Sequence, residues 1–204
     1  MWPSFDQTLL VLWSGGLDST AALYQVLKTT DRDVLAVWMD YHTREGRRDA
    51  ESRAVQALLP RLQMIRPFRF MTVGQDFAAL GHTPVDLHVY SFVAAQIARG
   101  TGIRRIASGL MAEDKDPGWA ERRHVANAIL DACFADRPDQ KPQWEFPVEH
   151  MTKEDEIRLI GRDLYDLTWS CRWPVNTSLG PRRCNECPTC KRLIAAEMAI
   201  GINR

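Results

Sequence analysis

Short runs of apolar residues alternate with stretches whose apolar positions recur every three or four residues. The runs 8–13 (TLLVLW), 34–40 (VLAVWMD), 68–73 (FRFMTV), 103–108 (IRRIAS) and 144–148 (WEFPV) predict strands. Residues 18–29, 47–59, 86–99, 119–134 and 153–161 carry helical spacing between and after them. That alternation predicts an α/β fold: a doubly wound parallel sheet covered by helices on both faces. Such sheets bind ligands beyond the carboxyl ends of their strands, where the strand order reverses. Residues 74–85 and 135–143 hold Gly, Pro and polar residues and read as surface loops. Thr152 can cap the helix opened by "TKEDEI", whose first turn is acidic as the helix dipole prefers. After about residue 168 the pattern turns to proline, arginine and cysteine. This predicts one domain over 1–167 and a small segment, 168–204, packed on it.

The first strand ends in "LWSGGLDSTAA", Leu12, Trp13, Ser14, Gly15, Gly16, Leu17, Asp18, Ser19, Thr20, Ala21 and Ala22. Two glycines let the backbone turn tightly and let its N–H groups approach a ligand. The helix that follows points its free N–H groups and positive dipole into the same space. With hydroxyls from Ser14, Ser19 and Thr20, the stretch forms a cradle for phosphate or pyrophosphate. Asp18 can hold the turn or lie close to a magnesium ion carried by the phosphates. The chain has neither G-x-x-x-x-G-K-[ST] nor G-x-G-x-x-G, so a P-loop and a dinucleotide fold are disfavoured.

Composition adds limits. The apolar (45%) and charged (25%) fractions are those of an ordinary globular protein. Lys+Arg and Asp+Glu balance at 26 each, so no overall field favours a polyanion and direct nucleic-acid binding is not expected. No apolar run approaches the roughly 20 residues of a membrane helix. The start lacks a basic region and a small-residue cleavage site, so a cytoplasmic location without membrane contact is expected. Disulfides are rare there, yet four of the five cysteines fall within twenty residues. Cys171, Cys184, Cys187 and Cys190 give C-x12-C-x2-C-x2-C, which fits a closed tetrathiolate zinc site of structural type. Arg182 and Arg183 would offset part of its charge. An iron–sulfur cluster is the alternative. Cys133, in an apolar helical stretch, reads as a core thiol. His42, His82, His88, His124 and His150 form no ligand-spaced set.

"SGGLDST" is also the signature of the PP-loop ATP pyrophosphatase superfamily, which this segment closely resembles. Joined to a C-terminal four-cysteine cluster, it resembles the 7-cyano-7-deazaguanine synthase family. "DYHTR" (Asp40, Tyr41, Arg44) is similar to that family's D-Y-G-Q-R, and Lys153 to the lysine opening its late helix. "TWSCRWP…CNECPTCKR" is similar to its cysteine tail. The likeness thins in the base-recognition half. The family's V-P-G-R-N keeps only Pro84 of Thr83–Leu87, and its G-x4-D…R run keeps Gly109, Asp114 and Arg122 around an altered centre.

The resemblance implies an ATP-dependent ligase that adenylates the carboxylate of 7-carboxy-7-deazaguanine and, with ammonia, forms the nitrile. Its cofactors would be ATP, Mg2+ and structural Zn2+, and its assembly a homodimer. Residues 12–22 would hold the nucleotide, with Asp18, Ser19, Arg44 and Lys153 as catalytic candidates. A first-turn lysine opposes the helix dipole, so Lys153 needs a local reason. Tyr41, Asp114, Trp119 and Arg122 are substrate candidates. The altered motifs leave open an amide product or conjugation to a macromolecule. A tRNA-modifying enzyme and a non-catalytic ATP- and zinc-binding module are further alternatives.

Overall fold

A computed structural model describes residue 5, residues 7–110 and residues 118–202, with side chains from residue 121 in the last stretch. Asp114 lies outside the described residues, as does the side chain of Trp119. Five strands, β1 (Leu9–Leu12), β2 (Val34–His42), β3 (Arg69–Asp76), β4 (Arg105–Ala107) and β5 (Gln143–Glu145), form one sheet. Its order is β3-β2-β1-β4-β5 and every pairing is parallel. The helices are α1 (Leu17–Thr29), α2 (Arg48–Gln63), α3 (Asp86–Thr101), α4 (Gly118–Cys133), α5 (Lys153–Tyr165) and α6 (Pro188–Ala199). A short antiparallel hairpin, β6 (Val175–Thr177) with β7 (Gly180–Arg182), stands apart.

The central strands β1 and β2 form because both of their faces are covered, while the edge strands β3 and β5 stay partly exposed. On one face Leu10, Leu12, Leu35 and Val37 pack on Val93, Ala94 and Ala98 of α3 and Leu130 of α4. On the other, Leu9, Val11, Val34 and Ala36 meet Leu23 and Val26 of α1 and Leu58 and Leu62 of α2. Side-chain alternation along each strand divides the apolar residues between the two layers. Strand order reverses between β1 and β4, so a cleft opens beyond their carboxyl ends.

Boundaries differ from expectation where tertiary packing overrides local signals. Residues 74–76, expected in a loop, extend β3 by pairing with Asp40, Tyr41 and His42. α2 continues through Pro60 to Gln63, because Leu58 and Leu62, one turn apart, both anchor in the core. α5 reaches Tyr165 past a non-helical turn at Gly161. Thr152 caps it as expected: Thr152 Oγ1 accepts from the Asp155 N–H and the Asp155 side chain answers the Thr152 N–H. Residues 168–202 do more than form a metal-bound cap. Leu193 and Ala196 of α6 join Leu17, Ala21, Ala22, Ile157 and Ile160 in a third apolar cluster.

One close approach positions the cleft. A Cβ on Gly109, just beyond β4, would lie 2.5 Å from the Asp18 carbonyl carbon and 2.6 Å from the Ser19 nitrogen. Backbone at both sides leaves no side chain to move aside. Gly109→Ala is expected to push α1 away from β4, lowering the melting temperature and abolishing nucleotide binding. Thermal melts with and without ATP check both effects.

Candidate active site

The glycine turn is held by hydroxyls and by a distant segment. The Ser14 N–H donates to Ser19 Oγ (3.1 Å), the two serine hydroxyls bond each other (3.1 Å), and the Gly16 N–H donates to Ser14 Oγ (3.3 Å). From the far end of the chain, the Trp169 N–H donates to the Gly15 carbonyl (2.9 Å). The Leu17 N–H donates to Ser170 Oγ (3.1 Å). Gly15 itself has φ +76°, with a would-be Cβ 2.9 Å from Val55 Cγ2, so glycine is required there twice over.

The cleft beyond β1 and β4 is a cavity of about 260 Å3. Of the stretch 12–22 it is lined by Leu12, Ser14, Gly16, Leu17, Asp18 and Ser19. Trp13, Thr20, Ala21 and Ala22 are buried in the protein instead. The Thr20 hydroxyl accepts from the Trp13 indole (3.1 Å), so it braces the turn from behind rather than offering a donor to the cavity.

Lys153 reaches the cavity from the first turn of α5, with its side chain 4% exposed. It forms an ion pair with Asp18 and lies 3.5 Å from Glu156, which is fully buried. These two carboxylates are the local reason for a first-turn lysine. Burial, reinforced by the nearby Asp18 charge, pushes the Glu156 carboxyl up to about 10, against the pull of Lys153.

A second charged set lines the same cavity. Arg47 Nη2 is 2.8 Å from Asp86 Oδ2, and its Nε is 3.2 Å from Glu45 and 3.3 Å from Glu51. Arg172 bonds Glu45 (2.7 Å) and Asp86 (2.8 Å). Arg47, Glu45 and Glu51 are buried, and Arg47, Glu51, Asp86, Tyr90 and Arg172 line the cavity. Burial works against the Arg47 charge, but Glu51, Asp86 and Glu45 more than offset it. Burial pushes the Glu51 carboxyl up to about 7 despite Arg47.

Three expected positions are therefore not brought together. Arg44 is exposed, directed at the Gly81 carbonyl (3.4 Å); of the two, it is Arg47, three residues on, that lines the cavity. Tyr41 is fully buried between Phe77 and Tyr90 with Arg47 over its ring, so its face is not free for a base. Burial pushes its phenol up to about 12. Arg122 is exposed on α4, outside the cavity. Missing from the sequence reading were Arg47, Glu51, Asp86, Ser170 and Arg172. The four-residue spacing of Arg47 and Glu51 was the available signal.

The four cysteine sulfurs lie within 4.8 Å of one another. A single ion with metal–sulfur bonds near 2.3 Å needs sulfurs about 3.8 Å apart; Cys171 to Cys184 is 3.5 Å and Cys184 to Cys190 is 3.9 Å. Asn185, at φ +60°, turns the chain so that the Cys187 N–H donates to Cys184 Sγ (3.3 Å). Burial opposes ionisation of Cys184, but the Cys187 and Glu186 N–H groups, with the Cys171 and Cys187 thiols, outweigh it and bring the thiol to about 6. The donor set fits a metal. Arg183 turns away from it to pair with Glu197 (2.8 Å) and lies over Tyr165 rather than offsetting sulfur charge.

Sheet order, glycine turn and helix define an α/β protein of the PP-loop type. The family model described as queuosine biosynthesis protein QueC matches residues 8–197, and the chain belongs to that family. It is 26% identical over 221 residues to a 7-cyano-7-deazaguanine synthase of Saccharolobus solfataricus, covering 96% of this chain and 45% of that protein. It is 25% identical over 226 residues to a 7-cyano-7-deazaguanine synthase 2 of Sulfurisphaera tokodaii, covering 96% and 46%. The chain thus spans about half the length of these curated relatives. Among solved structures it is similar in fold to the U34-tRNA thiolase NcsA from Methanococcus maripaludis with its [4Fe-4S] cluster. That match has TM-score 0.56 and 10% identity, covering 98% of this chain and 66% of that one. No helix of the described residues is long and apolar enough to cross a membrane.

Two outcomes test the site. The unfolded chain gives up the Glu156 proton near 4.5 while the folded chain keeps it to about 10. Stability from this group therefore declines as pH rises from the lower value toward the higher. Glu156→Gln keeps the shape and removes the titration, so thermal melts across neutral and mildly alkaline pH should show a flatter decline and a higher melting temperature. Cys184→Ser should weaken nucleotide binding as well as stability, because Cys171 anchors Trp169 and Ser170 on the glycine turn; calorimetry with ATP reads the first effect.

Proposed function

We propose that the chain is an ATP-dependent ligase that adenylates the carboxylate of 7-carboxy-7-deazaguanine and converts it, with ammonia, into the nitrile. The observation that carries this reading is one cavity joining a phosphate-type cradle to a second, hydrogen-bonding half. The Ser14–Ser19 turn and the N-terminus of α1 suit a pyrophosphate. Lys153 supplies the cation beside it. Magnesium would arrive with the nucleotide, phosphates providing most of its ligands and Asp18 the carboxylate at hand.

In the reaction a carboxylate oxygen attacks the α-phosphorus of ATP and pyrophosphate leaves. Ammonia displaces AMP from the acyl adenylate, giving the amide and releasing a proton. A second ATP adenylates the amide oxygen, with loss of one N–H proton and pyrophosphate. Departure of AMP, with loss of the remaining N–H proton, leaves the nitrile. The protein's contribution is position and countercharge from the turn, α1 and Lys153. We assign zinc to the four cysteines as a structural ion, since their sulfur spacing matches one tetrahedral ion better than the wider spread a multi-iron cluster needs.

A second reading keeps the adenylation and changes the product to the amide or to a conjugate. It is favoured by Asp86, which stands in the segment where the family resemblance keeps only a proline and which faces the cavity. Purified protein with ATP, magnesium, ammonium and 7-carboxy-7-deazaguanine, followed by mass spectrometry, tests both. Nitrile with AMP and pyrophosphate supports the first; accumulating amide supports the second; no turnover of the base overturns both. Lys153→Gln is expected to slow pyrophosphate release by about a hundredfold or more, while Arg44→Ala leaves it at the wild-type rate.

A further inference from the structure

We propose that Glu51, with Asp86 beside it, is the specificity determinant that reads the N–H edge of a 2-amino-4-oxopyrimidine ring. This rests on the proposed function and goes beyond it by assigning recognition to named carboxylates. Glu51 lines the cavity and is 5% exposed, yet its Oε2 has no hydrogen-bond donor. Asp86 lines the same wall, with Oδ2 held by Arg47 and Arg172 at 2.8 Å each and Oδ1 without a donor. Buried carboxylate oxygens normally find donors, and a cavity that leaves two of them short calls for a ligand that brings them.

The neighbours narrow the ligand. A phosphate or carboxylate is repelled where Glu45, Glu51 and Asp86 meet. A metal cation is disfavoured by the guanidiniums of Arg47 and Arg172 among them. Among the described residues, no set of three or more carboxylates or imidazoles converges on an ion as the four cysteines do. What fits is a neutral group with two adjacent N–H donors next to a carbonyl: acceptors from the carboxylates, a donor from an arginine. The 2-amino group, ring N–H and 4-oxo group present that order along one edge. The raised proton affinity of Glu51 agrees, since its buried charge is incompletely compensated until donors arrive.

The test compares 7-carboxy-7-deazaguanine with its analogue lacking the exocyclic amine, on wild type, Glu51→Gln and Asp86→Asn. Wild type should show a KM for the deamino compound about a hundredfold higher, with kcat less affected. Glu51→Gln should raise KM for the amino compound and erase most of that discrimination, with ATP affinity kept; Asp86→Asn should erase part of it. Discrimination unchanged in Glu51→Gln overturns the assignment while leaving the proposed reaction standing. A fall in ATP affinity with unchanged base KM also overturns it, and gives Glu51 to the nucleotide's hydroxyls. Turnover of neither base by wild type overturns the assignment together with the proposed reaction. Should Glu51→Gln melt below assay temperature, the wild-type pair of substrates decides: equal KM values overturn it.

Discussion

The site depends on one four-residue segment, 169–172, whose first two residues lie against the glycine turn. Trp169 and Ser170 bond the Gly15 carbonyl and the Leu17 N–H, groups that a turn and a helix N-terminus leave without internal partners. Cys171 follows in the metal-type cluster, and Arg172 continues into the Glu45–Asp86 network. One short segment therefore fixes the turn, one wall of the cavity and the cysteine site at once. Bringing residues 153 positions apart together has an entropic cost. A cysteine cluster next to the contact, and α6 packed through Leu193 and Ala196 on Leu17 and Ala21, offset it.

This arrangement gives the C-terminal segment a role that its composition concealed. Proline, arginine and cysteine suggest a segment with no core, stabilised by metal alone. In fact α6 buries apolar side chains against the helix that leaves the glycine turn, and Thr189 and Arg192 of the same helix line the cavity. The cysteines sit between the two jobs, with Cys187 capping α6 and Cys171 ending the segment that clamps the turn. Disturbing the sulfurs thus acts on the cavity from two sides.

The sheet was legible because its central strands are short apolar runs buried on both faces, a pattern few surface segments imitate; the polar, partly exposed end of β3 was not. The turn was legible because two glycines stand between a strand and a helix. Lys153 was legible as an anomaly, a cation where the dipole opposes one. The second half of the site was not. Arg47 and Glu51, four apart at a helix start, look like a solvated pair, and Asp86 at the start of α3 looks like a dipole-favoured surface acid. Only the crossing of α2, α3 and the 169–172 segment buries them together. Arg44 and Arg47 differ by three positions in an irregular stretch, and spacing alone could not say which one the chain turns inward.

Both charged sets hold one acid more than they hold cations. Asp18 and Glu156 share Lys153; Glu45, Glu51 and Asp86 share Arg47 and Arg172. In each, a deeply buried glutamate takes up the imbalance by favouring its proton, Glu156 to about 10 and Glu51 to about 7. The difference follows from surroundings: one guanidinium faces Glu51 within a set of two, whereas Glu156 competes with Asp18 for a single ammonium. The two charged sets therefore ask for different things. The turn and the α1 dipole favour negative charge, and the Glu51 wall repels it and favours N–H donors. On the proposed reading, phosphates are drawn to the first set and a donor-rich ring to the second. Orientation on that reading comes from the charge pattern at the switch point, which assigns the two kinds of group to different residues.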